Sequence, residues 1–211
     1  MRFLLFVEDN GLRGAIADYV KRLLDERLSQ PVRVTPIGHN GKSDYLETIG
    51  RKVEGYLSAP KGSDVIAAIG LVDLWTLEES IRQLRNLSGV EERWQAAKEH
   101  IEKLVQQPKF RQHFAVQEVE AWLIASPQIF PPDARRDIDN HAAKPEAIGG
   151  NESPARLLAR VYQKRLNRDY RKVIDGRPLF SDADPQDAYK ACPHFKRMLD
   201  DMEQLAKERG L

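Results

Sequence analysis

FLLFVEDN, residues 3–10, is an apolar run that ends in two carboxylates and gives way at once to a different spacing. From Leu12 onward, apolar residues recur at Ala15, Ile16, Tyr19, Val20, Leu23, Leu24 and Leu28, one face of a helix. The junction therefore predicts a strand over 3–7 feeding an amphipathic helix. Working outward, PVRVTPI at 31–37 alternates Val32 and Val34 before Ile37, an outer strand whose Pro36 an edge can tolerate. Leu46, Ile49, Val53, Tyr56 and Leu57 mark a second helix, and DVIAAIGLVD at 64–73 is apolar almost throughout, as a strand covered on both faces must be. The order β-α-β-α-β predicts an α/β fold, a mostly parallel sheet flanked by helices.

The next segment, about 77–107, is charged and helical, with Trp94, Ala97, Ile101 and Leu104 on one stripe, and reads as a helical insertion or cover. FAVQEVEAWLIA then predicts a short strand near His113–Gln117 running into a helix, closed by the prolines of PQIFPP. From Pro131 the pattern loosens, and the Gly149–Gly150 pair marks a linker. Ser153-Pro154 and Asp184-Pro185 each place a capping oxygen before a proline at the first helical position, so the tail reads as helical. The expected organisation is an α/β core over 1–130 and a linker with a helical C-terminal extension over 131–211.

Composition limits the function classes. The chain has 211 residues, 41% hydrophobic and 31% charged, and a formal net charge of +1, so any nucleic-acid surface must be local. The single Cys192 leaves no intramolecular disulfide and no cysteine-rich zinc module, and His39, His100, His113, His141 and His194 show no zinc-ligand spacing. No apolar run approaches the roughly 20 residues of a membrane span, and MRFLLFVED turns acidic too early for a secretory signal, so the expected compartment is the cytoplasm. The turns GHNG and IGG lack a phosphate-cradling or dinucleotide pattern.

Acids stand at the ends of three predicted strands: Glu8 with Asp9, Asp73, and Glu118 with Glu120. In open α/β sheets that edge is where ligands bind, and carboxylates from neighbouring strands can share a Mg²⁺ ion. The competing explanation is that acids favour helix starts, where they accept backbone N–H groups and meet the positive end of the helix dipole. Spacing leaves both open. Glu118 and Glu120 would share one face on a strand but diverge by about 200° on a helix, so only one is expected to face a metal if the helix has begun.

An apolar strand ending in Val7-Glu8, a later one ending in Val72-Asp73, and QEVEAWL resemble a Toprim-like domain. FAVQEVEAWLIASPQIF, SPARLLARVYQKRLNRDYRKVIDG and ACPHFKRMLDDM resemble, more narrowly, a bacterial Toprim-like family of unknown function. That family is often encoded beside a defence-type ATPase and is related to the overcoming-lysogenization-defect nucleases. The resemblance spans the chain except about 75–110. It implies Mg²⁺ or Mn²⁺, phosphodiester cleavage in antiphage defence, and an ATPase partner. Carried over, the metal and catalytic roles fall on Glu8 and Asp73, and the lysine near a glycine falls on Lys172, placed to balance charge on a scissile phosphate. Two positions depart: Asp9 replaces the glycine after the first glutamate, and Trp75 replaces the second aspartate of an Asp-x-Asp pair. Asp9, Glu118 or Glu120 would then complete the metal ligands, with Glu8 as ligand or general base and Glu120 among the catalytic candidates.

RVYQKRLNRDYRK, residues 160–172, sets Arg160, Lys164, Arg165, Arg168, Arg171 and Lys172 against the single acid Asp169. Arg160, Lys164, Arg168, Arg171 and Lys172 are candidates for a nucleic-acid backbone, the alternative being an ordinary solvated helix face. Two functions follow: a metal-dependent Toprim-like nuclease, or a catalytically degenerate module that docks an ATPase partner. A homo-oligomer is compatible with both.

Overall fold

The computed structural model describes residues 1–58, 60–75, 77–149 and 152–211; Gly150 of the expected linker pair falls outside them. The four strands β1 (Arg2–Val7), β2 (Arg33–Gly38), β3 (Val65–Asp73) and β4 (Phe110–Ala115) pair in parallel in the order β2-β1-β3-β4. This is the α/β class expected. Pro36 lies on the edge strand β2, opposite Leu5, where a missing N–H is harmless.

Strand periodicity divides the core in two. Phe3, Leu5 and Val7 face one side with α1 (Arg13–Arg27); Leu4 and Phe6 face the other with α2 (Lys42–Ser58) and α3 (Val90–Val105). Every residue of β3 is buried, consistent with its unbroken apolar run. The chain leaves β1 over the first face and returns from β2 over the second. The strand order therefore reverses between β1 and β3, and the C-terminal ends of these two strands open a crevice there.

Segment 77–107 is the crossover from β3 to β4, and α3 seals the second core with Trp94, Ala97, Ile101 and Val105. Leu104, expected on that stripe, is 50% exposed. The inward row continues from Ile101 to Val105, and Gln106 ends the helix in a left-handed conformation at φ 51°. Strand β4 stops at Ala115, two residues short of expectation, because Gln117 also turns left-handed at φ 65°.

The first face is covered by α1 and by everything after β4: α4 (Glu120–Ile124), α5 (Pro132–Ala142), α6 (Pro154–Leu166), α7 (Lys172–Asp182), α8 (Pro185–Ala191) and α9 (Pro193–Lys207). The stretch read as loose after Pro131 is thus partly helix. Pro132 takes the first helical position, and α5 buries only Ala134 and Ile138, one turn apart. Two apolar residues are too few to show a period in PDARRDIDNHA. Ser153 and Asp184 cap α6 and α8 as expected, accepting from the N–H groups of Arg156 and Gln186. The last helices are tied to the first: Arg22 donates to the carbonyls of Phe180, Ser181 and Ala183 at the end of α7. Among the described residues no helix is long and apolar enough to cross a membrane.

One glycine is required by this packing. In the second core Tyr45 Oη donates to Gln112 Oε1 at 2.7 Å, and the pair passes directly over Gly70 of β3. A Cβ at Gly70 would lie 2.2 Å from the hydroxyl and 2.3 Å from the amide oxygen. Gly70→Ala is expected to destabilise by about 1–3 kcal/mol and to lower the thermal midpoint by several degrees. Gly55→Ala, on an exposed face of α2 where a Cβ meets nothing within 4 Å, should raise stability by roughly 0.5–1 kcal/mol. Thermal melts of the two variants test the packing.

Candidate functional site

Because all four strands run in parallel, the residues after β1 and at the end of β3 emerge at the same edge of the sheet. Glu8, Asp9 and Asp73 line one small cavity with Lys172, Val119 and Ile16. Its volume of about 10 Å³ is the order of space that one water or ion occupies. Lys172, the first residue of α7, reaches into it. Its Nζ stands 3.5 Å from Glu120 Oε2, 3.8 Å from Asp73 Oδ2 and 4.0 Å from Asp9 Oδ2. Val173 holds that turn in place: a Cβ at Gly11 would come within 2.5 Å of its Cγ2, so the β1–α1 loop can approach α7 this closely only with glycine there.

The acids divide their duties. Asp9 Oδ1 accepts from the N–H of Gly11 at 2.5 Å and of Leu12 at 3.4 Å, a turn that launches α1, while Oδ2 faces Lys172. Asp73 Oδ1 accepts from Val119 N at 3.2 Å, just ahead of α4. Glu118 turns away: its Oε2 accepts from Ala155 N at 2.8 Å, in the first turn of α6. Helix starts thus account for Glu118 and for one oxygen each of Asp9 and Asp73. They do not account for Glu120, which is wholly buried with neither oxygen hydrogen-bonded, nor for Glu8 Oε2, also buried without a partner. After the left-handed turn at Gln117 the chain is already helical at Val119, so Glu118 and Glu120 diverge and only Glu120 stands beside Lys172.

Burial and crowding shift these groups strongly. Burial first, and then Asp73, push the Glu8 carboxyl up to about 8, with Lys42 and Lys172 pulling the other way. Burial raises Glu120 to about 7 against the pull of Lys172, and Asp73 is raised by burial as well. For Lys172, burial favours the neutral amine, but Asp73, Glu120, Asp9 and Glu8 outweigh it and hold the ammonium charged.

Carboxylate oxygens that are buried and unbonded, in a cluster this acidic, suit a hard divalent cation. Glu8, Asp9, Asp73 and Glu120 are the residues that would hold one. Among the described residues, no three His, Cys, Asp or Glu side chains are already drawn around a common point as ligands; the acids surround the Lys172 ammonium. The donor set fits a divalent cation in kind and in charge, and ligation would require the carboxylates to close in.

The basic run behaves differently. Helix α6 ends at Leu166, and Asn167 turns left-handed at φ 51°, so Arg168 does not continue the face of Arg160 and Lys164 as expected. Arg160 is paired with Glu152, Lys164 and Arg165 with Asp137, and Arg168 with Asp175. Of this run, Lys172 alone is ion-paired with the acid cluster among the described residues; Arg171, directly before it, is exposed. Sequence reasoning missed Lys42, whose Nζ bonds the Trp75 carbonyl and whose charge acts on Glu8 and Asp73. A lysine directly after the GHNG turn was the available signal. It also missed the buried Tyr170 hydroxyl, unpartnered and close enough to Glu120 to be raised by its charge after burial itself.

The shifts fix a stability profile. Glu8 and Glu120 have folded values above their ordinary 4.5, so the folded state holds more protons than the unfolded chain between pH 4.5 and about 8. Their contribution is greatest below that window and declines through it. Lys172 contributes evenly across it, since its loss begins only above its ordinary 10.5. The buried His39 and His113, both lowered by burial, act in the opposite sense near pH 6. A comparison of wild type with Glu8→Gln isolates the glutamate. The variant should gain thermal stability over wild type as pH rises from about 5 to 8, and a difference flat with pH would remove Glu8 from the cluster.

The C-terminal region of the Burkholderia pseudomallei OLD protein superposes with a TM-score of 0.43 at 16% identity, covering 96% of this chain and 97% of that one. The corresponding region of the Xanthomonas campestris pv. campestris OLD protein gives a TM-score of 0.41 at 15% identity, covering 98% and 97%. A search of curated proteins finds no match. Residues 7–203 match one family over nearly the whole chain, and the protein belongs to that family, described as a domain of unknown function (DUF4276).

Proposed function

We propose that the chain is a Toprim-like, metal-dependent phosphodiester hydrolase acting on nucleic acid. The observation that carries this reading is the meeting of Glu8, Asp73 and Glu120, from three separate strand-to-helix junctions, around the half-buried Lys172 ammonium, with oxygens of two of them unbonded. Folding gains nothing from buried carboxylate oxygens that accept no hydrogen bond, and groups with such raised values cluster at reactive sites. The sequence resemblance supplies the setting: antiphage defence beside an ATPase partner.

A divalent cation held by Glu8, Asp9, Asp73 and Glu120 would supply Lewis acidity and charge neutralisation at the phosphate. The chain's own groups do the rest. Glu8 Oε2, buried and unbonded, can take a proton from the attacking water once the glutamate is ionised, which its value of about 8 makes easier at alkaline pH. Lys172, charged and half-buried, can turn its N–H groups from the acids to a nonbridging oxygen as charge builds there. Asp73 positions α4, and through it Glu120, by its bond to Val119.

One observation favours a second reading. The Lys172 ammonium already lies within 4.0 Å of three carboxylates, and Trp75 stands where a second aspartate would be. On that reading the acids are internally neutralised and the chain docks an ATPase partner without cutting.

Purified protein, with and without a defence-type ATPase as candidate partner, is to be incubated with plasmid, single-stranded DNA and RNA in Mg²⁺ or Mn²⁺. Cleavage should require the metal, and Asp73→Asn should abolish it without lowering thermal stability, since the amide keeps the acceptor for Val119 and relieves like-charge crowding. Lys172→Ala should slow cleavage by about 100-fold or more while weakening nucleic-acid binding only a few-fold. Either metal should also raise the thermal midpoint more at about pH 8 than at about pH 5.5, because ligation displaces protons. Intact substrate in every condition, no shift with metal, and co-purification with the ATPase would establish the docking module.

A further inference from the structure

We propose that the nucleic-acid backbone is gripped by a collar of three arginines around the mouth of the acid cluster, Arg13, Arg171 and Arg177, and runs on into the groove between α1 and α7. The inference rests on the phosphodiester reading and names the surface that serves it.

A polyanion must approach a centre dense in carboxylates, so the rim has to reverse the field. Two of the arginines are fastened to the loop that carries Glu8 and Asp9. Arg13 Nη1 donates to the Asn10 carbonyl at 2.8 Å and to Asn10 Oδ1 at 3.1 Å, and Arg177 Nε donates to the Gly11 carbonyl at 3.0 Å. Each is oriented by the backbone while the rest of its five-donor fork stays available for phosphate. Arg171 directly precedes Lys172; its side chain is exposed and forms no hydrogen bond or ion pair among the described residues. Among the described residues none of the three is ion-paired with an acid.

The basic run of α6 offers the opposite. Arg160 is held by both oxygens of Glu152, at 2.7 and 3.0 Å, and Arg165 by both oxygens of Asp137, at 2.9 and 2.8 Å. A phosphate there would have to displace a bidentate carboxylate, whereas at the collar it displaces water. From Arg177 a groove of about 380 Å³ continues between α1 and α7, floored by Gly14 and Ala15 and flanked by Arg22, with Asp18 its one acid. Its small floor residues let a sugar-phosphate chain come close, and the Arg22 charge, though its N–H groups serve the end of α7, adds to the field along that path.

The test is fluorescence anisotropy with labelled single-stranded and duplex DNA in Ca²⁺, over a range of salt. Arg13→Gln/Arg171→Gln/Arg177→Gln should bind at least about 10-fold more weakly, with a log–log salt slope shallower by roughly 2–3, as for three lost phosphate contacts. Arg160→Gln/Lys164→Gln should stay within about two-fold of wild type. Because Arg177 also braces the loop, Arg171→Glu alone, at an exposed side chain with no hydrogen bond or ion pair among the described residues, serves as the second variant; its thermal midpoint should match that of wild type and it should lose affinity in the same direction. Equal binding by the collar variants and wild type, or a larger loss from the α6 pair, would overturn the collar. If wild type still cleaves in Mg²⁺, the hydrolase reading survives that failure. A wild type that neither binds nor cleaves overturns both, and tighter binding of labelled poly-glutamate than of DNA would reassign the collar to an acidic protein.

Discussion

Carboxylates brought together at a sheet edge repel one another, and burial makes each harder to ionise; the site exists because one ammonium stands among them. Lys172 comes from the first turn of α7, more than 160 positions after Glu8, and its distances to Asp9, Asp73 and Glu120 differ by no more than 0.5 Å. The sheet delivers the acids, but α7 decides whether they are tolerable. The seating of α7 on the β1–α1 loop, through Val173 against Gly11 and Arg177 against the Gly11 carbonyl, is therefore part of the site's electrostatics as well as of the fold. Burial still raises both glutamates above their ordinary range with this cation present, Glu8 to about 8 and Glu120 to about 7, which leaves them responsive to whatever else enters.

Much of the sheet was legible because its signals are local. An apolar run such as DVIAAIGLVD states its own burial, and the helical spacing after Leu12 states which face turns inward. Where the signal thinned, expectation failed for physical reasons. Helix α5 buries two side chains in eleven residues and shows no period. The end of β4 is set by a left-handed glutamine, a conformation that residue type does not announce. On α3, Leu104 and Val105 compete for one inward position, and Val105 takes it because the row buried against β4 and α2 runs from Ile101.

The site was legible in part. Strand ends mark where acids must gather, and that placed Glu8 and Asp73 in one cavity. It could not say that Glu118 would be spent on α6 and Glu120 left facing Lys172 without a hydrogen bond, because that depends on tertiary contacts with Ala155 and Lys172. Composition misled at the basic run: RVYQKRLNRDYRK carries one acid in its own sequence, yet Glu152, Asp137 and Asp175 reach it from other segments. The helix-start explanation and the binding explanation were framed as rivals, and Asp9 and Asp73 serve both, one oxygen each.

The tie between the first helix and the last ones has a further consequence for how the chain is made. Arg22 bonds a carbonyl 158 residues downstream, and α1 is covered by α7, α8 and α9. During synthesis, β1, α1 and β3 can leave the ribosome and pair while Tyr19, Leu23 and Leu24 still lack the side chains that bury them. The nascent chain therefore carries an open apolar face for most of its elongation, a state prone to sticking to other chains. A chain that ends after β4 and before α6 has its four strands in place but lacks the helices that cover α1 and the first face, so the closure that shelters the acid cluster comes only with the last third of the sequence.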